Sequence, residues 1–253
     1  MRTLKLVLAA SLAVAPLCAS TAAPPANVSA AVASAGRSAE NVKLDEARKP
    51  AELLRFFGLK PGMQVLDMFG SNRYWAEIIA PAVGPKGKVT VWEPTQFYDE
   101  KAKTAFEAFA AKTPNVSIVA SPFEDPRLPA NYADFALINL DYHDVYWVEP
   151  KYGVKRMEPD RFLKTLYGSM KRGGIVGIVD HAATPGGDTR EVVNKLHRID
   201  PAVLRADFER AGFVLEGQSD MYRNPQDDHS LLVFDPKIRG KTDRFVMKFR
   251  KPR

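Results

Sequence analysis

The sequence predicts an α/β domain: a mostly parallel sheet of seven strands, the last of them antiparallel, with helices on both faces. Three observations predict it. Short apolar runs alternate along the chain with segments whose apolar residues recur at helical spacing. Two of the runs, Ala133 to Leu140 and Ile175 to Asp180, are apolar almost throughout, as strands buried on both faces are. The last two runs have no helical pattern between them, which predicts antiparallel pairing at the end of the sheet.

The elements follow in order. Pro50 to Phe57 reads as a helix, with Pro50 suited to its first turn and Gly58 to its C-terminal cap. Lys60-Pro61-Gly62 turns the chain into a first strand that runs to Asp67, and Trp75, Ile78, Ile79 and Ala82 then mark a helix. After the turn Gly84-Pro85-Lys86-Gly87, Lys88 to Trp92 is a second strand. A helix over Tyr98 to Lys112, a strand over Val116 to Val119 and the apolar strand Ala133 to Leu140 come next. Pro159 to Met170 is helical, Arg172-Gly173-Gly174 is a turn, and Ile175 to Asp180 is the fifth strand. Asp200 caps a helix over Pro201 to Ala211, closed by Gly212. Strands over Phe213 to Ser219 and Arg244 to Arg250 flank the polar, turn-rich stretch 220–243.

The N-terminus predicts export. Met1 to Lys5 is basic, Leu6 to Leu17 is an apolar run too short for an ordinary membrane helix, and small residues follow at Ala19 to Ala23. Residues 1–22 therefore read as a signal peptide, with Ser20 and Ala22 at the −3 and −1 positions, and the mature chain as periplasmic or secreted. Cys18 raises lipoprotein processing as a minor alternative, against which stand the bulky Leu17 before it and Ala15 in place of the usual leucine. Cleavage removes the only cysteine and takes the formal charge from +6 to +4, so the mature chain has no disulfide and relies on a packed core. No membrane contact is expected after cleavage. Residues 23–41, rich in Ala, Pro and Ser, read as a disordered leader, which leaves 42–253 as one domain. The C-terminal cations are interrupted by Asp235 and Asp243 and read as a solvated edge strand, so nucleic acid is not an expected partner.

The chemistry concentrates beyond the carboxyl ends of the strands, where open α/β sheets bind ligands. Val65 to Trp75 reads strand, turn, helix, a geometry in which backbone amides approach a phosphate or nucleoside. The turn has one glycine, Gly70. Glu93 ends the second strand, 26 residues after Asp67, where a carboxylate can accept two ribose hydroxyls. Ser121-Pro122-Phe123 follows the third strand, and Phe123 could cover a base. The fourth strand ends in Asn139-Leu140-Asp141-Tyr142-His143-Asp144, and the fifth in Asp180-His181. His143 and His181 thus share a rim, where an imidazole can accept a proton near neutrality if Asp141, Asp144 or Asp180 fixes its tautomer. Taken singly, each histidine reads rather as a tie between rim loops. His197-Arg198-Ile199-Asp200 reads as mainly structural.

Metal-ligand types also cluster, in His143, Asp144, Asp180, His181, Asp228 and His229. The pairs Asp180-His181 and Asp228-His229 are adjacent, however, and neighbours on a strand point to opposite faces. No metal site is expected.

Tyr142-His143-Asp144, Asp180-His181 and Gly240-Lys241-Thr242-Asp243-Arg244-Phe245 together resemble a group of exported predicted methyltransferases. From about Lys43 to Pro252 the chain resembles the wider superfamily of class I S-adenosylmethionine-dependent methyltransferases, whose sheet is Rossmann-like. That resemblance implies S-adenosylmethionine as cofactor and methyl transfer to a small molecule or protein side chain. It places Asp67 at the acid of the Asp-x-Gly-x-Gly-x-Gly pattern and Phe69, Ser71 and Arg73 at its three glycines. Arg73 would pair with the cofactor's carboxylate, fill the pocket, or point to solvent. The cofactor-binding set it implies is Asp67, Phe69, Gly70, Ser71, Arg73, Glu93, Phe123 and Asn139, and the catalytic set is His143, Asp141 and His181. The aromatic rim of Tyr142, Tyr146, Trp147 and Tyr152 suggests a planar or apolar acceptor. Two other functions stay open: a non-catalytic binding protein with a degenerate cofactor loop, and a metal-dependent hydrolase. The sequence does not set the oligomeric state.

Overall fold

A computed structural model describes residues 27–70 and 72–253. The expected signal peptide, residues 1–22, and Ser71 lie outside the described residues. The strands are β1 (Gln64–Met68), β2 (Lys88–Pro94), β3 (Val116–Ser121), β4 (Ala133–Asn139), β5 (Met170–His181), β6 (Val214–Ser219) and β7 (Arg244–Arg250). They form one sheet in the order β3-β2-β1-β4-β5-β7-β6. The first five are parallel, and β7 runs antiparallel between β5 and β6.

Helices are α1 (Val28–Val32), α2 (Ala39–Val42), α3 (Asp45–Arg48), α4 (Pro50–Phe57), α5 (Tyr74–Val83), α6 (Glu100–Ala110), α7 (Pro159–Ser169), α8 (Thr189–Leu196) and α9 (Pro201–Arg210). Period-two alternation divides the strands between two cores. Val65, Val89, Phe135 and Val179 pack with α1, α4, α5 and α6, whereas Leu66, Trp92, Ala136 and Ile178 pack with α7 and α9 on the other face. Because both faces are covered, the central strands are apolar at every step, which is the pattern read from the sequence.

Three elements differ from the sequence reading. Residues 27–41, expected as disordered leader, form α1 and α2. Val28 and Ala31, one helical turn apart, are buried against α5, and the Arg37 guanidinium makes a two-pronged ion pair with Asp45 at 2.6 and 2.7 Å. A composition of small residues conceals a short apolar stripe. The turn expected at Arg172-Gly173-Gly174 is instead an irregularity inside β5, where the register against β4 shifts and Gly173 adopts φ +78°. Helix α8, absent from the sequence reading, starts at Asp188, whose carboxylate accepts from the Glu191 amide at 3.0 Å.

Candidate active site

β1 is the switch point of the sheet, because the chain leaves it for β2 on one side and returns to β4 on the other. A cavity of about 490 Å³ opens at the carboxyl ends of these strands, within the range of about 300–1,000 Å³ that small-molecule sites occupy. Met68 at the end of β1 and Phe69 after it, Glu93 in β2, Asn139 and Asp141 at the end of β4, and His181 at the end of β5 all line it.

The turn after β1 keeps the backbone of a glycine loop without the glycines. Phe69 has φ +59° and Arg73 φ +65°, the left-handed region in which glycine is the low-energy residue. Phe69 packs edge-on against Trp92, with centroids 4.9 Å apart, and lies beside Phe123 and Phe162. The turn's own glycine, Gly70, which is not one of the three pattern positions, has no room for a side chain. A Cβ on Gly70 would lie 2.5 Å from Asp67 Oδ2. Asp67 is 1% exposed, and apart from a weak contact with the Ala76 amide its oxygens have no hydrogen-bond partner among the described residues. Burial, then the neighbouring Glu93 carboxylate, pushes its pKa up to about 8, so the apo protein holds it protonated at neutral pH. Trp75, which also lines the cavity, has an unpartnered buried indole N–H.

Arg73 lies outside the cavity lining and is half-buried, so it neither reaches nor fills the pocket. The arginine that does line the cavity is Arg48, at the end of α3. Its guanidinium lies 4.3 Å from the Tyr74 ring centroid and makes no ion pair among the described residues. Burial lowers its pKa, and Tyr74, Asp141 and Asp67 oppose that effect. The supposed leader positions this arginine: Arg37 holds Asp45, Asp45 accepts from the Tyr74 hydroxyl at 2.7 Å, and Asn41 Nδ2 donates to Asn72 O in the turn at 3.3 Å.

At the other end of the cavity the polar groups are joined. Asp180, fully buried at the end of β5, accepts from the His143 amide (2.9 Å), His143 Nδ1 (2.7 Å) and the His181 amide (2.7 Å). His143 stands on a 3-10 turn over Tyr142–Tyr146. Burial opposes a charge on it, but the Asp180 and Asp144 carboxylates outweigh burial and lift its pKa to about 9. It is therefore an imidazolium near neutrality in the apo protein and not the ready proton acceptor that its ordinary pKa suggested. His181 shares a hydrogen bond with Thr242 Oγ1 at 2.7 Å. Burial and the cations around it push its pKa well down. Asp141 is raised well above the usual carboxylate range, first by burial and then by Asp144.

The structure thus brings Phe69, Gly70, Glu93, Asn139, Asp141, His143 and His181 to one cavity, with Asp67 under Gly70. It does not bring Phe123, which is fully buried among Phe69, Trp92 and Phe162 and covers no ligand space. Ser121 is likewise structural, accepting from Trp92 Nε1 at 2.8 Å and from the Arg127 amide at 3.0 Å. Of the aromatic rim, Trp147 and Tyr152 line the cavity, whereas the Tyr142 and Tyr146 hydroxyls both donate to Asp207 in the core. Sequence reasoning missed Arg48 and Phe97, which stacks on Trp147 at 6.2 Å, and took His197 as structural although it lines the cavity. No local spacing marks Arg48; the sequence shows only an arginine two residues ahead of the Pro50 that starts a helix.

No family model matches the chain, and no curated protein matches it in sequence. Solved structures do match in fold. A SAM-dependent methyltransferase from Aquifex aeolicus aligns at TM-score 0.57 and 21% identity, over 85% of this chain and 94% of that one. Phosphoethanolamine N-methyltransferase 2 from Haemonchus contortus, solved with S-adenosyl-L-methionine, aligns at TM-score 0.57 and 15% identity over 81% and 53%. The [4+2]-cyclase SpnF aligns at TM-score 0.59 and 15% identity over 87% and 84%. With its strand order and the antiparallel β7 between β5 and β6, the chain has the fold of the class I S-adenosylmethionine-dependent methyltransferases.

Proposed function

We propose that this chain is an exported methyltransferase that binds S-adenosylmethionine in the cavity beyond β1, β2 and β4. The acceptor is a small molecule or a protein side chain. The observation that carries the reading is the set of buried polar groups at the donor end of the cavity that lack full partners among the described residues: the Asp67 carboxyl, the Trp75 indole N–H, and an Arg48 guanidinium without an ion pair. Buried polar groups without partners are rare and costly unless a ligand completes them. Those groups suit the cofactor. Glu93 would accept the ribose hydroxyls, Arg48 would take the carboxylate, and Gly70 would leave the backbone open above Asp67. When bound, the cofactor supplies an electrophilic methyl group on a sulfonium. The chain's own contribution is to hold the acceptor in line with it, between Asn139, Asp141 and the aromatic wall of Phe97 and Trp147.

Fold alone does not fix the reaction, since a cyclase shares it. The alternative of a binding protein with a blocked cofactor loop requires Arg73 in the pocket, and Arg73 lies outside its lining. Calorimetry of the tag-free protein with S-adenosylmethionine and S-adenosylhomocysteine tests the proposal. Binding is expected, and Glu93→Gln should weaken it by about tenfold or more, as the loss of a charged hydrogen bond requires. No heat with either ligand at high micromolar concentration overturns it.

A further inference from the structure

His143 Nε2, Asp144 Oδ1 and His197 Nδ1 converge on one point of the cavity wall. The separations are 3.3 Å between the two nitrogens, 3.2 Å from His143 Nε2 to the oxygen and 3.2 Å from His197 Nδ1 to the oxygen. Ligand atoms at bond lengths of about 2.0–2.2 Å around one metal ion stand about 2.8–3.6 Å apart for coordination angles between octahedral and tetrahedral. We propose that these three side chains form a binding site for a divalent transition-metal ion, with the remaining coordination positions open to the cavity. Two imidazoles and one carboxylate on one side of an ion, with open positions opposite, is a ligand set used by zinc hydrolases and non-haem iron enzymes.

The supporting shell is in place. Asp180 receives Nδ1 of His143 at 2.7 Å and its backbone amide at 2.9 Å, so one buried carboxylate fixes both the ring and the chain beneath it. A carboxylate on Nδ1 turns Nε2 toward the other two ligand atoms, and the Nε2 proton of the imidazolium is released to solvent when an ion takes its place. His197 carries a second sign of selection for position over stability. It caps α8 at φ +51°, a left-handed conformation in which glycine is the usual residue. The ring that results stands against both Trp147 (5.0 Å) and His143 (5.3 Å) and lines the cavity.

This set escapes the objection raised by the sequence. Asp180-His181 and Asp228-His229 do split, with Asp180 on Nδ1 of His143 and His229 on Asp243 at 3.0 Å. His143 and Asp144 are adjacent but lie on a 3-10 turn, and the third ligand comes from the end of a helix 53 residues on from Asp144. The acceptor side of the cavity would then present a metal, to which an oxygen or nitrogen of the substrate can bind directly. The inference does not depend on the methyl donor, because metal binding is measured without one.

The test is titration of the tag-free, chelator-treated protein with Zn²⁺ by calorimetry and with Co²⁺ by visible absorption. One equivalent per chain is expected, with d–d bands for Co²⁺. His143→Ala and His197→Gly should each weaken binding by at least about tenfold, and Asp180→Asn by about 10- to 100-fold. His229→Ala, outside the cluster, should leave it unchanged. His197→Gly also separates ligation from bracing, because glycine is the low-energy residue at φ +51°. As a ligand, His197 can be replaced by glycine without lowering the metal-free Tm. Substoichiometric binding to the wild type overturns the proposal. Affinity unchanged in both His143→Ala and His197→Gly, or a fall in metal-free Tm of His197→Gly with unchanged affinity, overturns it equally.

Discussion

The two ends of the cavity are built on opposite principles. Below the turn after β1, Asp67 and Trp75 are buried with hydrogen-bonding capacity left over, and Arg48 faces the space with no ion pair among the described residues. At the ends of β4 and β5, Asp180 alone accepts three hydrogen bonds, and His143, His181 and His197 each have a partner. An incomplete set of polar groups is destabilising by itself and becomes favourable only when a ligand completes it. A completed network holds its geometry with nothing bound. The donor end therefore reads as a socket and the rim as a preorganised surface, a division of labour suited to an enzyme that must bind one partner and align another.

The largest expected effect tests the socket. The folded-state pKa of Asp67, about 8, lies above its unfolded value of about 3.9. Between these values the folded chain holds a proton that the unfolded chain has released, so stability falls as pH rises, and the favourable contribution is gone above pH 8. The slope approaches 1.4 kcal/mol per pH unit, roughly, for one group. Asp67→Asn, neutral at every pH, should flatten it. Urea midpoints from pH 5 to 8 for wild type and variant check this, and parallel curves would show that Asp67 ionises freely in the folded protein.

Next in size is Gly70→Ala. Its new methyl would meet a buried carboxyl held against the sheet, with the nearest oxygen 2.5 Å away. Overpacking of this kind costs about 1–3 kcal/mol, and a chain of this length loses about 2–4 °C of Tm per kcal/mol. Thermal melts should show that fall together with loss of S-adenosylmethionine binding. An unchanged Tm would mean that the turn is looser than the contact implies.

Arg48→Ala should weaken S-adenosylmethionine by about 10- to 100-fold, the worth of a charged hydrogen bond of about 1.5–3 kcal/mol. Its Tm should change less than that of Gly70→Ala, because the side chain has no ion pair to lose. Calorimetry and a melt on the same sample decide whether Arg48 serves the ligand or the fold.

The sheet was legible because both faces are buried. Val65 and Leu66, or Phe135 and Ala136, feed different cores, so an unbroken apolar run is the only pattern that serves. Rim residues were legible by position, since His143 and His181 follow strands that must end at the ligand crevice. What could not be read depends on contacts between distant segments. Val28 and Ala31 look like leader until α5 lies beside them, and His197 looks like a loop residue until α8 carries it to Asp144. Phe123 was misassigned for the same reason. A loop aromatic can face a ligand or a core, and only the positions of Trp92 and Phe162 decide.

Arg73 gives the smallest expected effect and the sharpest reading of the turn. The family resemblance places it at a cofactor-loop glycine, where a long cation would serve the ligand, block it or point to solvent. The structure keeps the glycine's backbone, φ +65°, and sets the side chain outside the cavity lining. Arg73→Gly removes a left-handed strain of about 1–2 kcal/mol and adds backbone freedom to the unfolded chain worth about 0.5–1 kcal/mol. The two nearly cancel, so Tm should move by no more than about 4 °C and S-adenosylmethionine affinity should stay within about twofold of wild type. A tenfold gain in affinity would put Arg73 back in the pocket as a plug, and a tenfold loss would make it a ligand. A loss would transfer to Arg73 the part proposed for Arg48, and the Arg48→Ala and Arg73→Gly affinities, measured side by side, decide which arginine the socket uses.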